Sequence, residues 1–434
     1  MLTPTEVGLV GIAIMMALIF LGVPVGASLA ISAFIGFVSI YGMGPTLTNM
    51  SLIPFFAVNR YAFAVIPLFL LMGVIVSQSG IGKEAYDTAR AWLGQIKGGL
   101  AMATVAACGL FAATSGSSMA TAVAMGKVAY PEMKRLRYNS RLALGCIAAG
   151  GSLGILIPPS IAFILIGVLT EVSIGKLFIA GIIPGMLEIL FYAGVIYLLC
   201  KRNPQLGPPA PRITFIQKAT SLKSTWAIIV LFLLVIGGIY GGVFTPTEAG
   251  GIGAFGALVI ALARRRLSRS DFAYCLMDTA RTTAMIITML IGAYLFMRFL
   301  SLTQIPFLAS EFIAGLGLPR YLILGIILGS FIIFGMFFDM YAMVIITTPI
   351  LFPIVMNLGF DPVWWGVIMV RMIEIGMVTP PFGINLFGLA GAADAPLGDL
   401  YRGVIPFVLA DMAHVALLVA VPQLSTFLPS LMIS

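Results

Sequence analysis

Two short stretches of an otherwise apolar chain carry side chains that can bind an ion. The first is Thr114-Ser115-Gly116-Ser117-Ser118, midway along the apolar stretch 99–130. The second is GMFFDMYAM, which sets Asp339 midway along 320–352. Each is followed by a double proline, in GILIPPSIAFI at 154–164 and in IGMVTPPFGIN at 375–385. Proline removes a backbone donor and breaks a helix. A break at membrane depth leaves carbonyls free on one half-helix and amides free on the other. Carbonyls and Ser/Thr hydroxyls suit a hard monovalent cation such as Na⁺, and helix N-termini suit a carboxylate. Two clusters result. Ser115, Ser117 and Ser118 face Gly150-Gly151-Ser152, Gly154 and the Pro158 break; Asp339, Thr347 and Thr348 face Gly376, Thr379, Pro381 and Asn385. Each cluster can hold one sodium ion. Prolines and glycines are common in membrane helices, but two breaks in register with two polar tips point to function.

The other charges in apolar surroundings have two readings each. Asp339 is a functional carboxylate, a helix N-cap for 340–352, or both. Arg298, near the outer end of its helix, meets an anionic substrate through its fork or reaches the interface as an anchor. Arg371 and Glu374 are three apart on one face and read as a structural pair. Glu188 and the Asp411/His414 pair are also intramembrane. For Asp411/His414 a helix–helix hydrogen bond stands against a proton relay.

These groups sit in a polytopic membrane protein. Of 434 residues, 60% are hydrophobic and 9% charged, against roughly a quarter charged in soluble domains, and the mean hydropathy is +1.10. Nothing marks a cleaved signal peptide at the first apolar segment. The net charge of +8 belongs to cytoplasmic loops and implies no nucleic-acid partner. The scattered Cys108, Cys146, Cys200 and Cys275 form no CxxC, and His414 is the single histidine, so no disulfide framework, transition-metal site or other cofactor is expected. No P-loop motif occurs.

Full spans are expected near 7–22, 25–41, 61–78, 141–170, 174–199, 225–243, 248–263, 284–300, 363–392 and 403–428. The stretches 99–130 and 320–352 read as re-entrant hairpins, since each half is too short to cross. Such backbone is tolerated at depth only when buried or lining a wet cavity. Basic clusters at 83–97, 134–141, 201–223 and 264–281 lie inside if both termini are periplasmic. The chain then divides into a first half, 1–205, a cytoplasmic linker, 206–224, and a second half, 225–434.

The halves are an internal repeat. At a constant offset of 222, Pro131 falls on Pro353, Gly154 on Gly376, Pro158-Pro159 on Pro380-Pro381, Gly181 on Gly403, Pro184 on Pro406, and Ser117 on Asp339. Five crossings separate equivalent helices, and an odd number turns the second copy over. The fold is therefore expected to be all-α, with an inverted-topology repeat, two hairpins and two broken helices; such repeats place ion and substrate sites at their interface. A second echo, Thr3-Pro4-Thr5-Glu6 and Thr245-Pro246-Thr247-Glu248, reads as two capping boxes with proline at N1.

ATSGSSMATAVAMG (113–126), PEM (131–133), SLGILIPPS (152–160) and VTPPFGIN (378–385) resemble the large membrane subunit of tripartite ATP-independent periplasmic (TRAP) transporters, over essentially the whole chain. The resemblance implies sodium-driven uptake of an organic acid (a C4-dicarboxylate, a sialic acid or another sugar acid) across the bacterial inner membrane. It implies an elevator-type transport core, a periplasmic substrate-binding protein and a small four-helix membrane subunit, expected as a separate chain. It makes the Ser115–Ser118 tip, the Pro158 and Thr379–Pro381 regions and the Asp339 hairpin the ion and substrate loci. Ser117, Ser160, Arg298, Asp339 and Asn385 are the expected substrate contacts. Two rivals stay open: a sodium/dicarboxylate symporter that needs no binding protein, and an intramembrane hydrolase using His414 and the serine tip.

Overall fold

The computed structural model describes residues 3–211, 213–315 and 317–432. The chain ends and Arg212 of the linker lie outside the described residues. All regular structure among the described residues is helical. Three helices open the chain: α1 (Pro4–Phe20), α2 (Val25–Tyr41) and α3 (Met43–Val58). The first capping box is present, with Thr3 accepting from the Glu6 amide and Glu6 reaching back to the Thr3 amide.

The first repeat follows: α4 (Val65–Gln78), α5 (Ile81–Leu93), the hairpin α6 (Gly99–Ser115) and α7 (Ser118–Arg135), the broken helix α8 (Ser140–Leu156) and α9 (Ile161–Thr170), and α10 (Ile174–Arg202). Next come α11 (Phe215–Phe232), which runs through a π-helical turn, Leu233–Gly237, into α12 (Gly238–Tyr240), and α13 (Pro246–Ala263), which carries the second capping box. The second repeat is α14 (Arg269–Thr303), α15 (Ile305–Gly315), the hairpin α16 (Arg320–Gly335) and α17 (Met340–Asn357), the broken helix α18 (Pro362–Val378) and α19 (Ile384–Ala393), and α20 (Leu397–Ala420); α21 (Gln423–Ser430) closes it.

The repeat holds at the level of single residues. α7 and α17 begin and end 222 residues apart, as do α8 and α18. Their N-caps correspond too: Asn139 and Asp361 cap the broken helices, and Ser117 and Asp339 cap the second hairpin arms. Ser117 accepts from the Ala120 amide at 3.3 Å, and Asp339 from the Ala342 amide at 2.8 Å. Beyond the breaks the offset becomes 223, both for the starts of α9 and α19 and for their left-handed caps, Glu171 and Asp394. The second break therefore holds one residue more than a gapless repeat would. Gly383, at φ +41°, stands in it, a backbone region that favours glycine. Counted from the first repeat on, five spans of crossing length among the described residues, Tyr61–Gln78, Ser140–Thr170, Ile174–Arg202, Phe215–Tyr240 and Pro246–Ala263, come before α14. The second copy is thus inverted.

Several expected boundaries move. α3 was not expected: Pro54 and four polar residues interrupt its apolar pattern, yet it forms 16 residues of helix. The span expected at 225–243 begins ten residues earlier at Phe215, because Thr214 and Gln217 form a capping box, so the latter part of the linker is helical. The span near 284–300 is the second half of a 35-residue helix whose first turn Ser268 and Asp271 cap. The span near 403–428 starts at Leu397 and ends at Ala420, and a turn at Val421-Pro422 separates it from α21.

α8 and α18 lie at the centre, buried from Leu142 to Leu156 and from Trp364 to Val378. Around them pack α6, α7, α10 and α20, with α16 against α18. The remaining long helices form a second group, in which α14 packs along α2, α3 and α4, and α13 along α4. Each half-helix beyond a break packs on the hairpin of the other repeat, α9 on α17 and α19 on α7.

Candidate functional site

The first hairpin tip turns at Gly116, whose φ of +61° places it in the left-handed region. The turn brings Ser115 and Ser117 against Thr121, one helical turn on. Thr121 Oγ1 bonds Ser115 Oγ at 2.9 Å and donates to the Ser117 carbonyl at 2.8 Å. Ser115 and Ser118 are buried, and Ser117 is partly exposed. The tip touches its own break. A Cβ added at Gly154 would lie 2.5 Å from the Ser117 carbonyl oxygen, and one at Gly116 would lie 3.1 Å from the Pro159 carbonyl oxygen. Gly151 meets α7 equally closely, at 2.6 Å from the Ala122 Cβ. Glycine is therefore needed at 151 and 154 to seat the hairpin against α8. Ser160 stands at the N-cap position of α9 but does not cap it; its hydroxyl donates back to the Ile155 carbonyl across the break.

The same tip also meets the other repeat. α19 packs along α7, with Gly388 against Met119 and both Leu389 and Ala393 against Gly126. Asn385 stands on the same helix, one turn before Gly388. It is fully buried, and neither atom of its carboxamide has a hydrogen-bond partner among the described residues. A buried amide without partners costs on the order of 1–3 kcal/mol. Asn385 stands on the helix that packs against the first hairpin, which makes it a candidate ligand-facing group. Sequence alone assigned Asn385 to the Asp339 cluster; the helix that carries it also packs on α7 of the first hairpin.

The second tip touches the second break. A Cβ added at Gly376 would lie 2.6 Å from Gly335 Cα, and the rings of Phe337 and Phe382 stand 4.8 Å apart. Thr379 ends α18 and donates its hydroxyl to the Ile375 carbonyl at 2.5 Å, while Pro381 is exposed. Both double prolines carry a cis bond. Asp339 sits at the tip as an N-cap. Thr347 and Thr348 do not join it. They lie two turns along α17, about 12 Å up the axis at 1.5 Å per residue, and donate to Met343 and Val344 of their own helix at 2.6 Å each.

The profile of the tripartite ATP-independent periplasmic transporter, DctM component, matches residues 12–424. The chain belongs to this family. It is 37% identical to the C4-dicarboxylate TRAP transporter large permease protein DctM of Pseudomonas aeruginosa, over 86% of this chain and 87% of that protein. It is 35% identical to the isethionate TRAP transporter permease protein DctMQ of Oleidesulfovibrio alaskensis, over 94% of this chain but 63% of that longer protein. The fold is shared with the YdaH transporter of Alcanivorax borkumensis at 15% identity, with a TM-score of 0.64 and 89% of each chain covered. A TRAP permease is a transport protein and not an enzyme, and this one is multi-pass.

Two further features of the permease complete the site. Arg298 lines an open cavity of about 700 Å³ between α3, α9, α14 and α17. Arg371 is fully buried at the meeting of α10, α18 and α20. It pairs with Glu188 at 2.6 Å, with Asp411 at 2.9 Å and with Glu374. Tyr192 donates to Glu188 at 2.7 Å, and Ser152 of α8 contacts both. The expected Arg371–Glu374 pair is thus one edge of a wider network. Ser152 turns into this network and not toward the hairpin tip. The reading of Asp411/His414 also changes: Asp411 bonds Arg371, while the His414 nitrogens have no partner among the described residues and its ring lies 5.3 Å from Phe191. Thr121 and Tyr192 were not singled out from the sequence. The i, i+4 spacing of Thr121 from Ser117 is the one signal in the sequence that pointed to either of them.

Proposed function

We propose that this chain is the large membrane subunit of a sodium-gradient-driven importer of a small organic acid in the bacterial inner membrane, working with a periplasmic binding protein and a small membrane subunit. Relatives named for C4-dicarboxylates and isethionate support an anionic substrate, and the fused name DctMQ supports a second membrane component. The observation that carries the ion reading is the buried carboxamide of Asn385, without a partner among the described residues, on a helix that packs against the first hairpin. Sodium there takes oxygens from the tip hydroxyls and the carbonyls of the break. The Asp339 tip, with Gly376 and Thr379, is its repeat-related counterpart. Both ion loci lie in the group built on α6–α10 and α16–α20, which slides as an elevator against α1–α4, α13 and α14. The termini face the periplasm and the 203–214 connection the cytoplasm.

The test is uptake of succinate and of isethionate into proteoliposomes holding both membrane subunits, with the binding protein outside. Uptake should require an inward sodium gradient and saturating binding protein. Ser117→Ala and Thr379→Ala should each raise the sodium concentration needed. Uptake that proceeds without binding protein would instead favour the autonomous symporter, and uptake indifferent to sodium would overturn the coupling.

A further inference from the structure

The cavity that Arg298 lines is open and of mixed character. Asn49, Phe56, Arg60, Glu171, Tyr294 and Arg298 stand on its walls. It shares Leu169, Met297 and Phe352 with an adjoining cavity of about 390 Å³ that extends to Thr348. Arg60 Nη1 donates to Glu171 Oε1 at 3.4 Å, and its guanidinium lies over the Tyr294 ring, 5.4 Å from the centroid. Arg298 is one turn further along α14 from Tyr294, on the same face. Glu171 holds the left-handed cap of α9 at φ +60°, where glycine or asparagine is the ordinary residue. The chain thus keeps a carboxylate at a position that disfavours it, facing an arginine.

Two guanidiniums against one carboxylate leave one positive charge in the cavity. The Arg60–Glu171 pair joins the helix group of α3 to the group of α9, with side chains 45% and 79% exposed. Such a pair is weakly held and readily exchanged. The Tyr294 ring lies beneath the Arg60 guanidinium and favours its place at the cavity wall, where its fork faces what enters.

We propose that this cavity is a capture site for the carboxylate of a small organic acid, in which the incoming carboxylate displaces Glu171 from Arg60 and is steered further by Arg298. This rests on the importer reading for its role in uptake. In the orientation proposed above the cavity opens on the periplasmic side, where substrate arrives. Glu171 competes with the substrate for the same fork, so the two members of one ion pair have opposite effects on binding.

All four native cysteines are buried, so a cysteine placed at Asn49 in the full chain reports on the cavity. Its reaction rates with a negatively charged sulfonate-bearing thiosulfonate and with a positively charged trimethylammonium analogue are compared in proteoliposomes. The anionic reagent should react several-fold faster. Arg60→Gln and Arg298→Gln should each reduce that preference, and Glu171→Gln should increase it. Succinate should slow labelling by the anionic reagent, at lower concentration in Glu171→Gln and not at all in Arg60→Gln. Equal rates for both reagents, or a Glu171→Gln variant that behaves like Arg60→Gln, would overturn the capture site and leave the pair as a tie between helices. The labelling needs no transport, so its failure is distinct from a failure of sodium-driven uptake.

Discussion

Asn385 offers a test that separates binding from packing. Asn385→Leu keeps the volume and removes two buried polar atoms that have no partner among the described residues. If the carboxamide served only packing, the variant would transport normally and be as stable or more so. As a ligand-facing group its loss should lower uptake tenfold or more, about 1.4 kcal/mol or above, while thermal unfolding in detergent stays at or above wild type. Asp339 gives a second test of the same kind. Its side chain caps α17 through the Ala342 amide at 2.8 Å, and asparagine caps about as well as aspartate. Asp339→Asn should therefore fold and reach the membrane normally but take up substrate poorly. A wild-type rate would reduce the carboxylate to a cap.

At the scale of elements, the hairpins are seated by glycine and the central helices are tied by one guanidinium. Gly154→Val and Gly376→Val drive side-chain carbon into backbone, at 2.5 Å from the Ser117 oxygen and 2.6 Å from Gly335 Cα. Overpacking of this kind costs about 1–3 kcal/mol or more, so both should lower the unfolding temperature. Gly329→Ala on α16, which meets nothing within 4 Å, should not. Arg371 holds three carboxylates from α10, α18 and α20. Removing one partner from a buried ion network costs about 3–5 kcal/mol because the rest are left uncompensated. Arg371→Ala should be among the least stable single variants, and Arg371→Lys, lacking the fork, should fall between it and wild type in the same melt. The capping boxes were legible beforehand because a cap is a local pattern of four residues. The network was not, because its members come from positions 152 to 411.

For the whole molecule, the inverted repeat places matching loops on opposite faces. Single cysteines in the 203–214 connection and at Gly359 should react with a membrane-impermeant reagent from opposite sides, the second in intact cells and the first only after the membrane is opened. Equal labelling of both in intact cells would contradict the inversion. The same experiment tests the periplasmic placement of residues 358–361, the loop before α18.

The sequence by itself determined what depends on near neighbours along the chain. A polar interruption in an apolar run announces a hairpin tip, a double proline announces a broken helix, and the offset of 222 announces the repeat. The separation of Thr347 and Thr348 from Asp339 was also within reach, since it follows from helical rise alone. Tertiary structure decided which pieces meet. α19 packs on α7 and α9 on α17, so each half-helix beyond a break meets the hairpin of the other repeat. Arg60 and Glu171 are 111 residues apart, and no local signal pairs them. Periodicity and composition report how each segment must fold, but the partner of a given face is chosen by which surfaces fit once all the segments compete for the same space.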